Sequence, residues 1–452
     1  MDDNRRQERS LTEGSPMRHL VYLAVPMVFG NILQEFYNTI DAFVVGRYAG
    51  EAEFAAIGIA GSVMNLFLFI IVGCCTGFSI LFAQAYGQNN MQELRRQHFS
   101  GLLAGAAVTV VLMLAGGLGM SQLLRLLKTP ENLQGYVSTY LFYIFLSLPA
   151  VLFYNLFASL LRSAGDTKAA LYVLAAAVGM NLVLDIVFVA VYKQGIRGAA
   201  IATALTQIFS AIAAYIYMRR THREMLLTGT DRIVSRHRIA RSLKYGLVSG
   251  MHSCSIYLGK IFVQGVVNTG GTEVIAAYTA ATRIEGFANS FGTSGSTATS
   301  ILTAQNYGAG KQDRVKAVYK DSLILLGSMG LISAALMLAT APQAIGFMLG
   351  THEGLAYTEA IRYFRTVALF YLFCFTGNTF TGHFNGVGRI RLPFVGALGH
   401  ITFRVIGSYL LFGHLGLTAV ALATGLGWFG ANVFWFLNIK DKANVSGRKE
   451  SH

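Results

Sequence analysis

Ser79-Ile80-Leu81-Phe82-Ala83-Gln84-Ala85-Tyr86-Gly87 returns 221 residues later as Ser300-Ile301-Leu302-Thr303-Ala304-Gln305-Asn306-Tyr307-Gly308, with seven of nine positions identical. The same offset pairs Gly50, Ala55 and Ala56 with Gly271, Ala276 and Ala277. It also pairs Gly195, Ala200, Ala202, Thr203 and Leu205 with Gly416, Ala421, Ala423, Thr424 and Leu426. One offset recurring in three separated places marks an internal duplication.

Composition says what is duplicated. Of the 452 residues, 54% are apolar and 13% charged, against about a quarter charged in an ordinary soluble chain. Mean hydropathy is +0.50. The apolar residues come in runs of bilayer length, about 20 residues. Twelve spans are expected, near 19–45, 54–84, 99–121, 136–160, 169–192, 197–218, 243–268, 274–305, 318–341, 357–385, 393–412 and 416–438. The first run is too long for a signal-peptide core and reads as the first span.

Between the sixth and seventh spans lies a polar, basic stretch, 219–242. The expected organisation is an all-α integral membrane protein: an N-lobe over 1–218, a cytoplasmic linker over 219–242, and a C-lobe over 243–452. Six helices per lobe is an even number, so both copies enter from the same side. They are expected to be related by a pseudo-two-fold axis along the membrane normal, the parallel-repeat arrangement of secondary transporters.

The net charge of +14 follows topology and does not suggest nucleic acid. With the N-terminus in the cytoplasm, 26 of the 36 Lys and Arg fall on cytoplasmic segments, including eight between Arg219 and Lys244. About seven face the other side, the positive-inside bias. Both termini are then expected in the cytoplasm. Cys74, Cys75, Cys254 and Cys374 all fall in apolar spans without zinc-site spacing and read as packing residues.

An ionisable side chain at the centre of a membrane helix costs about 2.5–3.5 kcal/mol on insertion scales. The spans hold few: Glu35, Asp41, Asp185, Lys260, Arg283, Glu285 and Arg404. Gln34, Asn38 and Asp41 share one face of the first helix, and Asn181 and Asp185 are i, i+4 neighbours in the fifth. Thr203 and Gln207 have the same spacing in the sixth. Carboxylates, an amide and a hydroxyl are hard oxygen ligands that suit a proton or Na⁺. Burial and a neighbouring carboxylate both raise a carboxyl pKa, so such a set can load and release a proton. Amide groups alone would tie helices together at lower cost. Pro26, inside the first helix, removes a backbone hydrogen bond and permits a bend.

The second half does not repeat this set. Its seventh and eleventh spans contain no Asp or Glu, and its tenth has only Glu359, near an end. Lys260, Arg283, Glu285 and Arg404 stand there instead. Gly308-Ala309-Gly310-Lys311 lacks the residues a phosphate loop requires. His252, His383 and His400 are scattered singly. Phe36, Tyr37, Phe153 and Tyr154 are candidates to line a cavity for flat cations.

Pro26, the run Gln34-Glu35-Phe36-Tyr37-Asn38-Thr39-Ile40-Asp41-Ala42-Phe43-Val44-Val45-Gly46-Arg47, the twinned Ala-Gln-x-Tyr-Gly helix ends, and Asn181 with Asp185 resemble the multidrug and toxic compound extrusion (MATE) transporters. The resemblance spans the whole chain and is greatest to the DinF-type branch. It implies a cation site at Asp41, Asn181, Asp185 and Thr203, with Gln34, Tyr37, Asn38 and Gln207 as accessory or cavity residues and Pro26 as a hinge. The missing acids in helices seven and ten depart from the NorM-type pattern. The resemblance implies export of organic cations by alternating access, driven by inward H⁺ or Na⁺. It further implies a monomer in the bacterial cytoplasmic membrane, with no cofactor and no metal beyond a coupling Na⁺. The alternative within transport is a flippase for a lipid-linked saccharide, for which Lys260, Arg283 and Arg404 would supply a cationic cavity. No His-Glu-x-x-His, Gly-x-Ser-x-Gly set or haem-type His pair points to an enzyme.

Overall fold

The computed structural model describes residues 11–126 and 129–446, apart from the side chains of residues 37–42, 126 and 440–446. All regular structure among the described residues is helical. In chain order the long helices are α1 (Pro16–Tyr48), α2 (Glu51–Gly87), α3 (Met91–Leu118), α4 (Glu131–Ser163), α5 (Thr167–Asp185) and α6 (Gly195–Thr221). They continue as α7 (Arg236–Asn268), α8 (Thr272–Gly308), α9 (Gln312–Leu349), α10 (Leu355–Ala368 and Tyr371–Gly386), α11 (Arg391–Leu415) and α12 (Leu417–Ser446). A short helix, Met120–Leu126, follows α3.

Most helices overrun the expected spans. Helix α9 has 38 residues, about 57 Å at 1.5 Å per residue, while the hydrocarbon core is about 30 Å thick. Hydropathy marks only the apolar middle, and the backbone ladder continues into the polar flanks. Among the described residues eight helices, α2–α6, α9, α11 and α12, are long and apolar enough to cross a membrane by length and composition.

The chain divides into two compact units: Val25–Met251, and Leu11–Ala24 together with the residues from His252 onward. In the first unit α2 and α4 are central, with 67% of each apolar window buried, against 28% for α3 and α5. The outer helices present Val110, Val111, Leu114 and Val183 outward, a surface suited to lipid. The first half of α7 lies against α2, where Gly77 meets the Tyr245 backbone and Gly246 meets the Phe78 ring. In the second unit α8 packs against α9 and both pieces of α10, and α11 pairs with α12.

Helix starts follow local chemistry. Asn90 and Asp166 cap α3 and α5, accepting from the backbone N–H of Glu93 and Ala169. Gly195 and Gly416, equivalent in the repeat, both open their helices at φ +54°, a conformation that favours glycine. Each faces a carboxylate, Glu53 and Glu359 respectively. Glu53 accepts a hydrogen bond from the Ile196 N–H, negative charge at the positive end of a helix.

The stretch after α6 is bound to the first unit. Asp231, fully buried, accepts from Arg95 Nε at 2.6 Å and from the Thr228 hydroxyl. Arg238 pairs with Glu93 at 3.1 Å. His222 Nε2 lies 3.1 Å from Asp166 Oδ2, which also accepts from the Tyr217 hydroxyl at 3.0 Å. Desolvation pushes the Asp166 carboxyl up, but the hydrogen bonds from His222 and Tyr217 outweigh it and hold the group below the ordinary value. Desolvation pulls His222 down, and its Asp166 and Glu224 partners outweigh that, leaving it raised. Asp231 is likewise held low, its burial outweighed by hydrogen bonds from Thr228 and Arg95.

Within the second unit the segment before α1 is tied to the turn between α8 and α9. Arg314 donates to the carbonyls of Gly14 at 2.8 Å and Glu13 at 3.1 Å, and Asn306 Nδ2 donates to Leu11 O at 3.2 Å.

Candidate functional site

The polar set of the first unit lies where α5 and α6 pack as an antiparallel pair. Asn181, Asp185 and Thr203 are 1%, 0% and 5% exposed. Counting outward from the connecting turn near Lys193, Asp185 is level with Thr203, and Asn181 is level with Thr206. At about 1.5 Å per residue Asp185 and Thr203 lie about 12–15 Å from that turn, well inside the apolar spans Thr167–Val191 and Gly195–Thr221.

Thr206, 3% exposed, joins the set and was not among the expected residues. It is i+3 from Thr203, on the same helix face, and that spacing was the available signal. Asn181 Nδ2 and the hydroxyls of Thr203 and Thr206 have no hydrogen-bond partner among the described residues. Each such buried group costs about 1–3 kcal/mol when left unsatisfied. Several together within one helix pair mark a place built for a ligand or for a side chain arriving from elsewhere.

Backbone geometry changes at the same place. Helix α5 is α-helical up to Asp185 and then turns π-helical through Ile186–Val191. Single-turn π segments inside helices occur often at functional sites. The carbonyls of Val187 and Phe188 accept from the N–H groups of Tyr192 and Gln194, both at 2.9 Å. A side chain at Gly198 would run into the Phe188 carbonyl, so that glycine lets α6 approach the widened turn.

The remaining expected residues are distributed differently. Gln207 is half-buried and Gln34 is exposed. The side chains of Tyr37, Asn38 and Asp41 lie outside the described residues. Pro26 sits inside α1, two residues past the point where the chain leaves one unit for the other.

In the second unit Glu285 is 7% exposed and Arg404 half-buried, while Lys260 and Arg283 are exposed. Arg404 Nη2 donates to the Tyr278 hydroxyl at 3.2 Å. Tyr363 and Tyr371, both fully buried, flank the break in α10 and neighbour Glu285, as do Arg404 and Lys260. The two hydroxyls stand close to the carboxylate. Helix α10 was expected as one span. The break at Leu369–Phe370 has no Pro or Gly to announce it. The Phe370 ring lies over Gly425 of α12, and Asn432 donates to the Phe373 carbonyl at 2.8 Å, so packing between helices holds it.

Two buried polar clusters inside a duplicated twelve-helix membrane fold define a secondary-transporter architecture. The family model MatE matches residues 26–187 and again 249–410, and the chain belongs to this family. Among its relatives is the probable multidrug resistance protein YpnP of Bacillus subtilis, 26% identical over 432 residues, covering 94% of this chain and 95% of that protein. A MATE protein solved in its bent conformation superposes with TM-score 0.90 at 22% identity, over 98% of this chain and 99% of the other. A transporter of the MOP superfamily from Pyrococcus furiosus, described by the reverse polarity of its binding pocket, superposes with TM-score 0.87 at 22% identity, over 96% and 97%. The chain thus has the MATE fold, twelve helices in two lobes, and is a multi-pass membrane transporter.

Proposed function

We propose that this protein exports organic cations, drugs among them, by antiport against inward H⁺ or Na⁺, and that Asp41, Asn181, Asp185 and Thr203 hold the coupling ion. The observation that carries the reading is the buried set on α5 and α6: a carboxylate, an amide and hydroxyls on two adjacent levels, with the amide nitrogen and both hydroxyls unpartnered among the described residues. Thr206 joins them. The multidrug-resistance name of the Bacillus subtilis relative supports drugs as cargo.

The physical cycle is short. Empty, the site holds a carboxylate that is costly in the apolar layer. A proton or Na⁺ neutralises it, with the Thr hydroxyls and the amide oxygen as further ligands. An ion that binds two lobe arrangements with different affinity shifts their balance by that difference, and so drives export. The ligands are oxygens, and the site requires no resident metal. In this reading the protein works as a monomer in the bacterial cytoplasmic membrane. Both termini and the segment 219–242 lie in the cytoplasm.

The test is Asp185→Asn, which keeps shape and removes the ionisable charge. In proteoliposomes with pH and Na⁺ gradients imposed separately, wild type is expected to move ethidium under at least one gradient. The variant should insert and fold but lose gradient-driven efflux. Efflux near the wild-type rate in the variant would remove Asp185 from the coupling mechanism.

A further inference from the structure

Between α6 and α7 the acids turn inward and the cations outward. From Arg219 to Lys244 there are eight Lys and Arg but only two acids, Glu224 and Asp231. Asp231 is fully buried against Arg95, and Glu224 lies beside His222. Glu93 of α3 takes Arg238. Arg219, Arg220, Arg223, Arg232 and Arg236 are exposed, and none of them has an ion pair among the described residues. One guanidinium folds the segment back on itself. Arg95 donates from Nε to Asp231 at 2.6 Å and from Nη1 to the Glu224 carbonyl at 2.9 Å. Arg223 and Arg232, the chain neighbours of those two contacts, are thereby brought near each other. Ile233 and Val234 follow, 48% and 68% exposed, on a stretch without regular structure. Topology needs the positive charges alone; apolar side chains set among them are what an interfacial anchor adds. The lipid-suited surface of α6 leads to the same place. Ile208, Ile212, Tyr215 and Ile216 are exposed along one face of that helix, and Arg219 is the next residue of the stripe, one turn beyond.

We propose that the segment 219–236 is a binding surface for anionic phospholipid, with Arg219, Arg220, Arg223, Arg232 and Arg236 on the headgroup phosphates and Ile233 and Val234 entering the acyl boundary beside them. Guanidinium forks match phosphate oxygens. A cation just outside a membrane span gains about fivefold in affinity from an anionic surface. The Arg95, Thr228 and His222 contacts behind the segment hold its backbone, so the arginines are presented without a loop having to order on binding. A soluble acidic partner would use the charges but not an apolar pair at the end of a lipid-suited stripe; a bilayer uses both. The surface requires only that α6 stand in a membrane, and it is independent of what the transporter carries.

Hydrogen exchange of residues 232–235 tests the surface, measured on the full chain in nanodiscs of phosphatidylcholine alone and of phosphatidylcholine with phosphatidylglycerol. Exchange is expected to be at least about fivefold slower in the anionic discs, the worth of one arginine near such a surface. High salt should remove most of the difference. Combining Arg220→Gln, Arg223→Gln and Arg232→Gln should abolish the slowing, and Ile233→Ser with Val234→Ser should weaken it, both without a change in melting temperature, because all five side chains are exposed. Equal exchange in the two kinds of disc overturns the proposal. So does slowing that survives in both variants, or slowing of the same size at residues 351–353, between α9 and α10, which would mark a general effect of the bilayer. Free sn-glycerol 3-phosphate added to phosphatidylcholine discs is expected to have no effect; protection by it alone would make the surface a site for soluble anions and overturn the assignment to lipid. If the triple variant does not fold, Arg232→Gln alone and the Ile233, Val234 pair carry the same test.

Discussion

At the scale of single residues, the cost of a polar atom in the membrane interior separates roles. Thr206 is buried, and its hydroxyl has no partner. Replacing it with valine keeps the shape and removes a group that costs about 1–3 kcal/mol to leave unsatisfied. The Thr206→Val variant is therefore expected to be as stable as wild type or more so, and to show efflux reduced several-fold. Thermal unfolding in detergent and gradient-driven ethidium efflux check the two halves. Unchanged efflux would make Thr206 a space-filling residue and remove it from the proposed ion site. Thr203 and Asp185 were readable from spacing and residue type alone. Thr206 was equally visible in the sequence, but one threonine among several in α6 gains meaning only once its burial and its level beside Asn181 are seen.

At the scale of elements, the connection after α6 is a polar latch whose strength depends on pH. His222, 3% exposed, sits against Asp166, the residue that caps α5. Its pKa is raised in the fold. Its contribution to stability is therefore complete below its unfolded value, about 6.5, and is lost as pH rises through the folded value. Asp166 is held low, so its contribution is present above about 3.9 and is lost as pH falls through its folded value. The latch is strongest between about pH 4 and 6.5 and loosens toward alkaline pH. Hydrogen exchange of residues 222–231 is expected to speed up between pH 6.5 and 9 beyond the chemical effect of pH. The His222→Gln variant should lack that extra acceleration. If wild type and variant follow the same pH course, His222 stays neutral and the latch does not depend on its charge. The π segment of α5 and the break in α10 belong to this scale too. Nothing in Ile186-Val187-Phe188-Val189-Ala190-Val191 or Leu369-Phe370 announces them: Gly198 on α6 leaves room for the first, and Phe370 over Gly425 with Asn432 on α12 holds the second.

At the scale of the whole molecule, α1 belongs to two units. Its first turns count with the second unit, through Leu11–Ala24, and the rest with the first. Pro26 follows two residues after the change. Proline supplies no N–H, so the helix is weakest near the place where the chain passes from one body to the other. The first turns are held within the second unit through the Arg314 and Asn306 hydrogen bonds to residues 11–14, and the remainder of α1 counts with the first. Alanine restores the backbone bond. Pro26→Ala is expected to keep or raise the melting temperature and to slow efflux several-fold, with ligand binding retained. Full efflux from a stable variant would make the proline a static feature of α1.

The duplication, the twelve helices and the polar residues of α5 and α6 were legible in the sequence by itself. Each rests on short-range or compositional physics: an apolar run must be helical in lipid, a carboxylate in such a run is expensive wherever it points, and a repeated offset needs no coordinates. The family followed from the same residues. Tertiary structure alone decided the rest. It set the burial of Thr206, the π turn after Asp185, the split of α10 under Phe370, and the gathering of Lys260, Glu285 and Arg404 from three helices. These depend on which faces meet and how closely, and so on glycines such as Gly198, Gly259 and Gly425, whose effect lies in what their missing side chains admit. Hydropathy is a property of one segment, whereas close packing is a property of pairs, and a pair becomes visible only when the chain is folded.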